Sequence, residues 1–198
     1  MMRRLDNDKS TIKKTGIFLL AVLLIFSLST TAFAYETLSH KIRSAKTFVP
    51  SSAFGTTSKT HMGYAVEKWN TAAGTTLMQI SSSTHSSTGY HNNDGKNYIY
   101  KEDAGTDYVA QCWYEWNIFG SLTESDININ SYYSWANSAQ PNCYDLYSVF
   151  LHETGHAAGL ADLYSSSDSA AVMYGYSSTN TTKRSLTADD IAGIEAIY

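Results

Sequence analysis

The stretch His152-Glu153-Thr154-Gly155-His156 constrains this chain more than any other segment, because it places two imidazoles four residues apart. On an α-helix, residues i and i+4 share one face, so both rings can direct a nitrogen atom towards a single ion. Zinc accepts imidazole nitrogen in tetrahedral sites. Glu153 is poorly placed as a further ligand, but it lies where a general base for a metal-bound water is expected.

The residues that follow this motif predict a third ligand. Gly159 can end the helix in a left-handed conformation, and a chain that turns back there brings Asp162 within reach of the same ion. Three protein ligands with one open position are typical of a catalytic zinc site rather than a structural one. Asp162 can also be interpreted as an ordinary turn residue, because aspartate is common in turns.

Apolar residues surround the motif at helical spacing and predict a helix with one buried face. They are Leu146, Val149, Phe150, Ala157 and Leu160. Glu153 falls within this apolar stripe, and carboxylates are almost never buried without a partner. A metal ion or its bound water would supply that partner.

The first 34 residues resemble a removable targeting segment. Several cations precede an apolar run at residues 17–28, which is too short for a confident membrane span, and Ala32-Phe33-Ala34 offers small residues for cleavage. We therefore predict a secretory signal peptide at residues 1–34, a secreted protein, and one domain at residues 35–198. The alternative is an uncleaved anchor helix.

Composition narrows the set of partners. The formal net charge is −4, and the part after residue 34 is more acidic because five cations lie before it. This balance argues against a nucleic-acid partner and against an anionic membrane after signal cleavage; it does not predict an oligomeric state. Cys112 and Cys143 are the only cysteines, and in an exported protein an even count favours a disulfide over two free thiols.

Periodicity along the rest of the chain predicts alternating strands and helices. We expect strands at 42–49, 75–81, 96–101, 108–116 and 126–130 (the last half-buried), helices at 58–73 and 144–159, and a flexible loop at 165–169. Thr187, followed by Asp189 and Asp190, resembles a capping box that begins a last helix.

The motif and the residues after it are similar to those of metzincin metalloproteases, most of all the matrixin branch. His152, Glu153, His156 and Gly159 match the extended signature by position, and Met173 resembles the methionine of the Met-turn. The segment 186–194 is similar to the last matrixin helix. One departure is Asp162, which stands where that signature has histidine; small secreted proteases of the snapalysin type have aspartate there.

The resemblance implies an α/β (α+β) fold with a mixed, mostly parallel five-stranded sheet and two helices, above a small C-terminal subdomain with the Met-turn and a last helix. It implies catalytic Zn²⁺, a protein or peptide substrate extended along an edge strand, and a pocket wall at Tyr174. We expect residues 126–130 or a near neighbour to be that edge. The predicted function is a secreted zinc endopeptidase with Glu153 as general base. Alternatives are a non-enzymatic binding module on the same fold and a zinc amidase acting on cell-wall peptide.

Several other side chains are weaker candidates. His85 and His91 could hold a second zinc, and Tyr174 or Tyr176 could hydrogen-bond the transition state. Calcium is possible at an acidic region comprising Asn92, Asp94, Glu102, Asp103 and Asp107, although a solvated loop explains these residues as well.

Overall fold

Five strands form the main sheet in the computed structural model, which describes residues 33–90 and 92–198. They are β1 (Lys46–Pro50), β2 (Met78–Ile80), β3 (Asn97–Tyr100), β4 (Ala110–Trp116) and β5 (Leu122–Ile129). Their order is β2-β1-β3-β5-β4; the first three neighbouring pairs are parallel and β4 runs antiparallel to β5. The predicted mixed sheet is confirmed.

Two helices pack with the sheet around one hydrophobic core. Helix α1 (Thr56–Ala73) begins two residues earlier than predicted and ends at Gly74, which adopts the left-handed conformation with φ of 64°. Helix α2 (Leu146–Ala158) begins after Asp145, whose side chain accepts a hydrogen bond from the Ser148 amide. The buried Trp69 of α1 donates its indole N–H to the Leu151 carbonyl at 2.8 Å and so fixes α1 against α2.

The segment expected at the sheet edge lies inside the sheet. Residues 126–130 overlap β5, which has β3 on one side and β4 on the other. The near neighbour β4 is the edge, and among the described residues no strand pairs with its outer side. The sequence could not distinguish the two strands, because the residue types that favour a strand do not specify its position within a sheet.

Strand β5 is also more buried than a half-buried strand. Glu124, Asp126 and Asn128 lie on the side opposite Ile127 and Ile129, because side chains alternate across a strand, yet they are as buried as the apolar residues. They and Asn130, the residue after β5, accept hydrogen bonds from backbone amides of β3 and its flanking loops: Glu124 accepts from Asp94 and Gly95, Asp126 from Tyr98, Asn128 from Glu102, and Asn130 from Ala104. These hydrogen bonds offset the cost of removing polar groups from water.

The predicted disulfide is wrong for this structure, in which Cys112 and Cys143 are both free thiols. Cys112 points into the protein from β4, with its sulfur 3.2 Å from the Ser125 hydroxyl of the neighbouring strand. Cys143 lies in a different region, just before the short strand that precedes α2. The even cysteine count favoured pairing, but the inward orientation of Cys112 directs its thiol towards β5 instead.

The C-terminal part begins after α2. A 3₁₀ turn, Ser166–Asp168, lies within the segment predicted as a flexible loop, and α3 (Ala188–Ile197) is the last helix. The capping box is confirmed: the Thr187 hydroxyl accepts from the Asp190 amide, and the Asp190 carboxylate accepts from the Thr187 amide.

Two short parallel strands, β6 (Trp135–Ala136) and β7 (Tyr144–Asp145), lie before α2.

The predicted signal peptide, residues 1–34, lies outside the described residues except for its last two. Its cleavage and the secretion of the protein therefore stay predictions. No helix in the described part of the chain has the length and apolar character needed to cross a bilayer.

Asp190 does more than cap α3. Its carboxylate, which is 1% exposed, also accepts hydrogen bonds from the amides of Val172 and Met173 at 3.0 and 3.1 Å. One buried side chain therefore joins the start of the last helix to the turn that contains Met173.

We predict that Asp190→Asn lowers the free energy of unfolding by about 3 kcal/mol, because an amide NH₂ group would face amide donors in a buried site. For a domain of this size that corresponds to a loss of roughly 10 °C in Tm. Thermal unfolding followed by circular dichroism, in the presence of a chelator, measures the change without a metal contribution.

Asp189→Asn is the matched control, since Asp189 is the preceding residue on the same helix turn and is only partly buried. It should cost less than about 1 kcal/mol, the usual value of a carboxylate near a helix N-terminus. Equal losses for the two variants would contradict the bracing role of Asp190.

Candidate metal centre

Helix α2 and the turn after it bring His152, His156 and Asp162 together. The Nε2 atoms of the two histidines are 3.1 Å apart, and Asp162 Oδ1 lies 3.2 and 3.6 Å from them. Four-coordinate zinc with bonds of about 2.0–2.1 Å separates neighbouring ligand atoms by about 3.3–3.4 Å. The triangle formed by these three atoms therefore has the size of one face of a zinc tetrahedron. Within the described part of the chain it is the only group of three such side chains this close together.

Backbone carbonyl groups orient both imidazoles. His152 Nδ1 lies 2.8 Å from the Val172 oxygen, and His156 Nδ1 lies 2.9 Å from the Leu160 oxygen. A carbonyl oxygen can only accept a hydrogen bond, so each Nδ1 carries the proton and each Nε2 keeps its lone pair towards the other ligands.

Gly159 lets the chain return to the metal centre. It ends α2 with φ of 105°, and a Cβ atom there would lie 2.5 Å from the His40 carbonyl oxygen. Only glycine satisfies both the left-handed backbone and this close approach. Three residues later, Asp162 projects its carboxylate back towards the histidines.

The Asp162 carboxylate fits a metal ligand because its two oxygens have different environments. Oδ2 accepts a hydrogen bond from the Tyr164 hydroxyl at 3.0 Å. Oδ1, the atom that faces the histidines, is buried and has no hydrogen-bond partner in the structure. A buried, unpaired carboxylate oxygen is costly, and a cation bound between it and the two Nε2 atoms would remove that cost.

The charge states of His156 and Asp162 suit a dication. His152 differs: burial lowers its pKa, but its hydrogen bond to Asp162 and the charge of Glu153 outweigh this and raise the pKa, so metal binding there would displace a proton. Burial, together with the neighbouring His152, lowers the pKa of His156 to about 4, so its ring is neutral at neutral pH. Burial raises the pKa of Asp162, but its hydrogen bonds and its proximity to the histidines outweigh this and leave the pKa below its usual range. Neutral imidazoles and an ionised carboxylate are the forms that bind metal.

Glu153 lies beside the ligands and is 6% exposed. Burial raises its pKa to about 7, with Asp162 acting in the same direction and His152 opposing both. A bound dication would lower the pKa again. Glu153 lines the same cleft as the three ligand residues, so its carboxylate can reach a water molecule or substrate atom there.

Met173 packs directly beneath the helix that carries the ligands. A Cβ atom on Gly155 would lie 2.3 Å from the Met173 sulfur and 3.0 Å from the Trp69 ring. Gly155 therefore leaves room for the methionine under the two histidines. The carbonyl that orients His152 belongs to the residue before Met173, so the turn both supports the helix and orients one ligand.

The site opens into a cleft of about 910 Å³ between β4 and the segment after Met173. Tyr108–Cys112 and Tyr114 line it on one side. The other side includes Tyr174, which was predicted as a pocket wall, together with Tyr176 and Lys183. The sequence analysis did not predict that Tyr164 and Lys183 line the cleft. The position of Tyr164, two residues after the candidate ligand Asp162, could have indicated it.

The second metal sites proposed from the sequence gain no support. His91 lies outside the described residues, and His85 directs Nε2 to the Ile99 carbonyl at 3.1 Å. The acidic candidates for calcium bind amides instead: Glu102 accepts from Gly89 and Tyr90, Asp103 from Gly105, and Asp94 from Lys96.

Known proteins that are similar to this chain include a collagenase and a zinc-protease. The chain is 42% identical to human neutrophil collagenase over 74 residues, which are 37% of this chain and 15% of that protein. Among solved structures it is similar to high choriolytic enzyme 1, a hatching enzyme zinc-protease from the medaka Oryzias latipes. That match has 13% identity, covers 83% of this chain and 96% of the other, and has a TM-score of 0.41, too low to support further inference.

The family assignment rests on a longer match. The family model described as matrixin covers residues 34–198, which include the sheet, the ligand helix, the Met173 turn and the last helix. The chain therefore belongs to the matrixin family.

Proposed function

We propose that this chain is a secreted zinc-dependent endopeptidase. The observation that carries the proposal is the triangle of His152 Nε2, His156 Nε2 and Asp162 Oδ1 at zinc-ligand spacing, with the buried Glu153 beside it in an open cleft. Membership of the matrixin family supports the zinc and the peptide substrate. Secretion rests on the predicted signal peptide alone.

A zinc ion bound by these residues would supply a Lewis acid that polarises the peptide carbonyl and lowers the pKa of the attacking water. Glu153 takes the proton from that water and then delivers it to the leaving amine. Glu153 is buried and lines the same cleft as the three ligand residues, so its carboxylate can accept a proton there and return it.

The outer edge of β4 gives the substrate a place to bind. In the described part of the chain β5 is the only strand that pairs with it, and Ala110, Gln111 and Cys112 line the cleft beside the metal centre. An extended peptide can add to this edge as a further strand, held by main-chain hydrogen bonds. This arrangement brings a scissile bond next to Glu153.

An aspartate ligand changes the electrostatics of the centre. Compared with a third histidine, Asp162 places an extra negative charge on the metal, which makes it a weaker acid towards its water. The Tyr164 hydroxyl donates to the second Asp162 oxygen, so it fixes the carboxylate and withdraws part of this charge.

We predict that Glu153→Gln retains zinc but lowers kcat by at least about 100-fold, the usual minimum for loss of a general base. Elemental analysis and a peptide-cleavage assay on the same preparation measure the two quantities. Glu195→Gln, an exposed change on α3, is the control and should leave both unchanged. Full turnover in Glu153→Gln would remove this residue from the mechanism.

We predict that Asp162→Ala weakens zinc binding by more than about 100-fold, since loss of a direct ligand should exceed the cost of losing an outer-shell partner. Competition with a chromophoric chelator measures the affinity. Asp107→Ala removes an exposed aspartate from a loop and provides the control. Unchanged affinity in Asp162→Ala would refute its assignment as a ligand.

We predict that Tyr164→Phe lowers zinc affinity or activity by about 10-fold, the lower end of the range for a hydrogen bond to a metal ligand. Tyr64→Phe, which removes the hydroxyl of an exposed tyrosine on α1, is the control. The same chelator competition and cleavage assays measure the effect. Unchanged zinc affinity and unchanged activity would show that the Tyr164 hydroxyl does not support the metal centre.

Incubation of the protein with a generic protein substrate, with and without a chelator, separates the enzyme from a non-enzymatic binding module. The retained Glu153 favours the enzyme, because metal-dependent binding alone does not require that acid. A peptidoglycan digest distinguishes a zinc amidase, which would use the same residues.

A further inference from the structure

Lys183 places a cation in the cleft, on the same side as Tyr174. Its ammonium group donates to the Ala171 carbonyl at 3.2 Å and lies 4.8 Å from the centre of the Tyr174 ring. Its backbone amide donates to the Ser148 hydroxyl at 2.7 Å, which ties the segment to the first turn of α2. Lys183, Tyr174 and Ser148 all line the cleft that contains the metal ligands.

A short series of hydrogen bonds connects the cation to the candidate metal ligand His152. Its acceptor is the carbonyl of Ala171, and the next carbonyl along the chain, that of Val172, orients the His152 ring. Two hydrogen bonds and one peptide unit therefore join the ammonium group to a zinc ligand. The Val172 amide donates a hydrogen bond to the Asp190 carboxylate, which holds the peptide between Ala171 and Val172 in place.

The carboxylates near Lys183 are already paired with other groups. Asp145 lines the same cleft, but it is hydrogen-bonded by Arg184 and Ser148. Asp190 accepts from the amides of Val172, Met173 and Thr187. Among the described residues, none of the ion pairs within 4.0 Å involves Lys183.

Lys183 is also partly removed from water. Partial burial lowers its pKa, although the charge of Asp190 acts in the opposite direction. A cation in such a site interacts more strongly with an anion than a fully solvated one does. The Tyr174 ring lies against the ammonium group and keeps it on the cleft wall.

We propose that Lys183 and Tyr174 form a subsite that binds a carboxylate group of the peptide substrate, on the side that follows the scissile bond. The subsite lies at the end of the cleft where Ser148 and Val149 precede His152, whereas His40, beside Tyr114, binds the His156 carbonyl at the other end of the helix. Its position after the scissile bond is part of the proposal. The inference rests on the proposed endopeptidase function. The carboxylate is either an Asp or Glu side chain or the free C-terminus of a short product segment.

The first test compares matched peptides. One pair differs only in Glu or Gln after the scissile bond, and a second pair places there a C-terminal glycine that is either a free acid or an amide. The wild-type protein should favour the carboxylate in at least one pair by about tenfold in kcat/KM, the effect of one charge-assisted hydrogen bond. The pair that shows the preference identifies the source of the carboxylate.

Substitutions assign the preference to the cation. Lys183→Met should abolish the ratio within each pair, whereas Lys183→Arg should keep it. Lys68→Met, an exposed lysine on α1, is the matched control and should keep the wild-type ratio. Equal rates within both pairs for the wild type, or a preference that survives in Lys183→Met, would overturn the proposal.

A binding measurement keeps this inference separate from the proposed function. Calorimetry of the zinc-loaded Glu153→Gln variant, with hexapeptides that begin with Glu or Gln, should show about tenfold tighter binding of the Glu peptide, reduced by added salt. If no peptide is cleaved but this difference is present, the endopeptidase proposal fails and the subsite stands. If peptides are cleaved but neither assay shows a carboxylate preference, the subsite fails and the endopeptidase stands.

Discussion

The buried carboxylate of Asp190 is the interaction on which the metal centre depends. It accepts hydrogen bonds from the amides of Val172 and Met173 and also caps α3. These hydrogen bonds hold the turn beneath the ligand helix in one position. That position directs the Val172 carbonyl to His152 and places the Met173 sulfur against Gly155. A charged acceptor suits this role because it can satisfy several amide donors within a site that excludes water.

The two carboxylates at the candidate metal centre, those of Asp162 and Glu153, lie in different environments. Asp162 keeps one oxygen free for the metal because Tyr164 occupies the other. Glu153, on the same helix as the histidines, is more buried, and this burial raises its pKa to about 7. Two carboxylates that line one cleft thus have different electrostatic environments, which suit the proposed roles of ligand for Asp162 and base for Glu153. Lys183 adds a third kind of charge, a cation farther along the cleft, where substrate rather than metal would meet it.

Many of the helices and candidate ligand residues could be predicted from local sequence patterns. The spacing of His152 and His156 placed both rings on one helix face, and Gly159 indicated where that helix ends and the chain turns. The periodicity within residues 58–73 predicted α1, and Thr187 predicted the start of α3. These features succeed because each depends on residues within one or two helical turns. The family match then confirmed the matrixin fold to which they belong.

The sequence by itself therefore determined the helices, the glycines that end two of them and the identity of the groups that can hold zinc. Only the tertiary structure decided which strand forms the cleft edge, that the polar side of β5 is buried under two loops, and that Cys112 faces Ser125 rather than Cys143. It also brought Tyr164 and Lys183 into the cleft. The physical reason is that alternation along a strand specifies two faces but not what covers them. Burial, pairing and pKa values depend on partners that are distant in the chain.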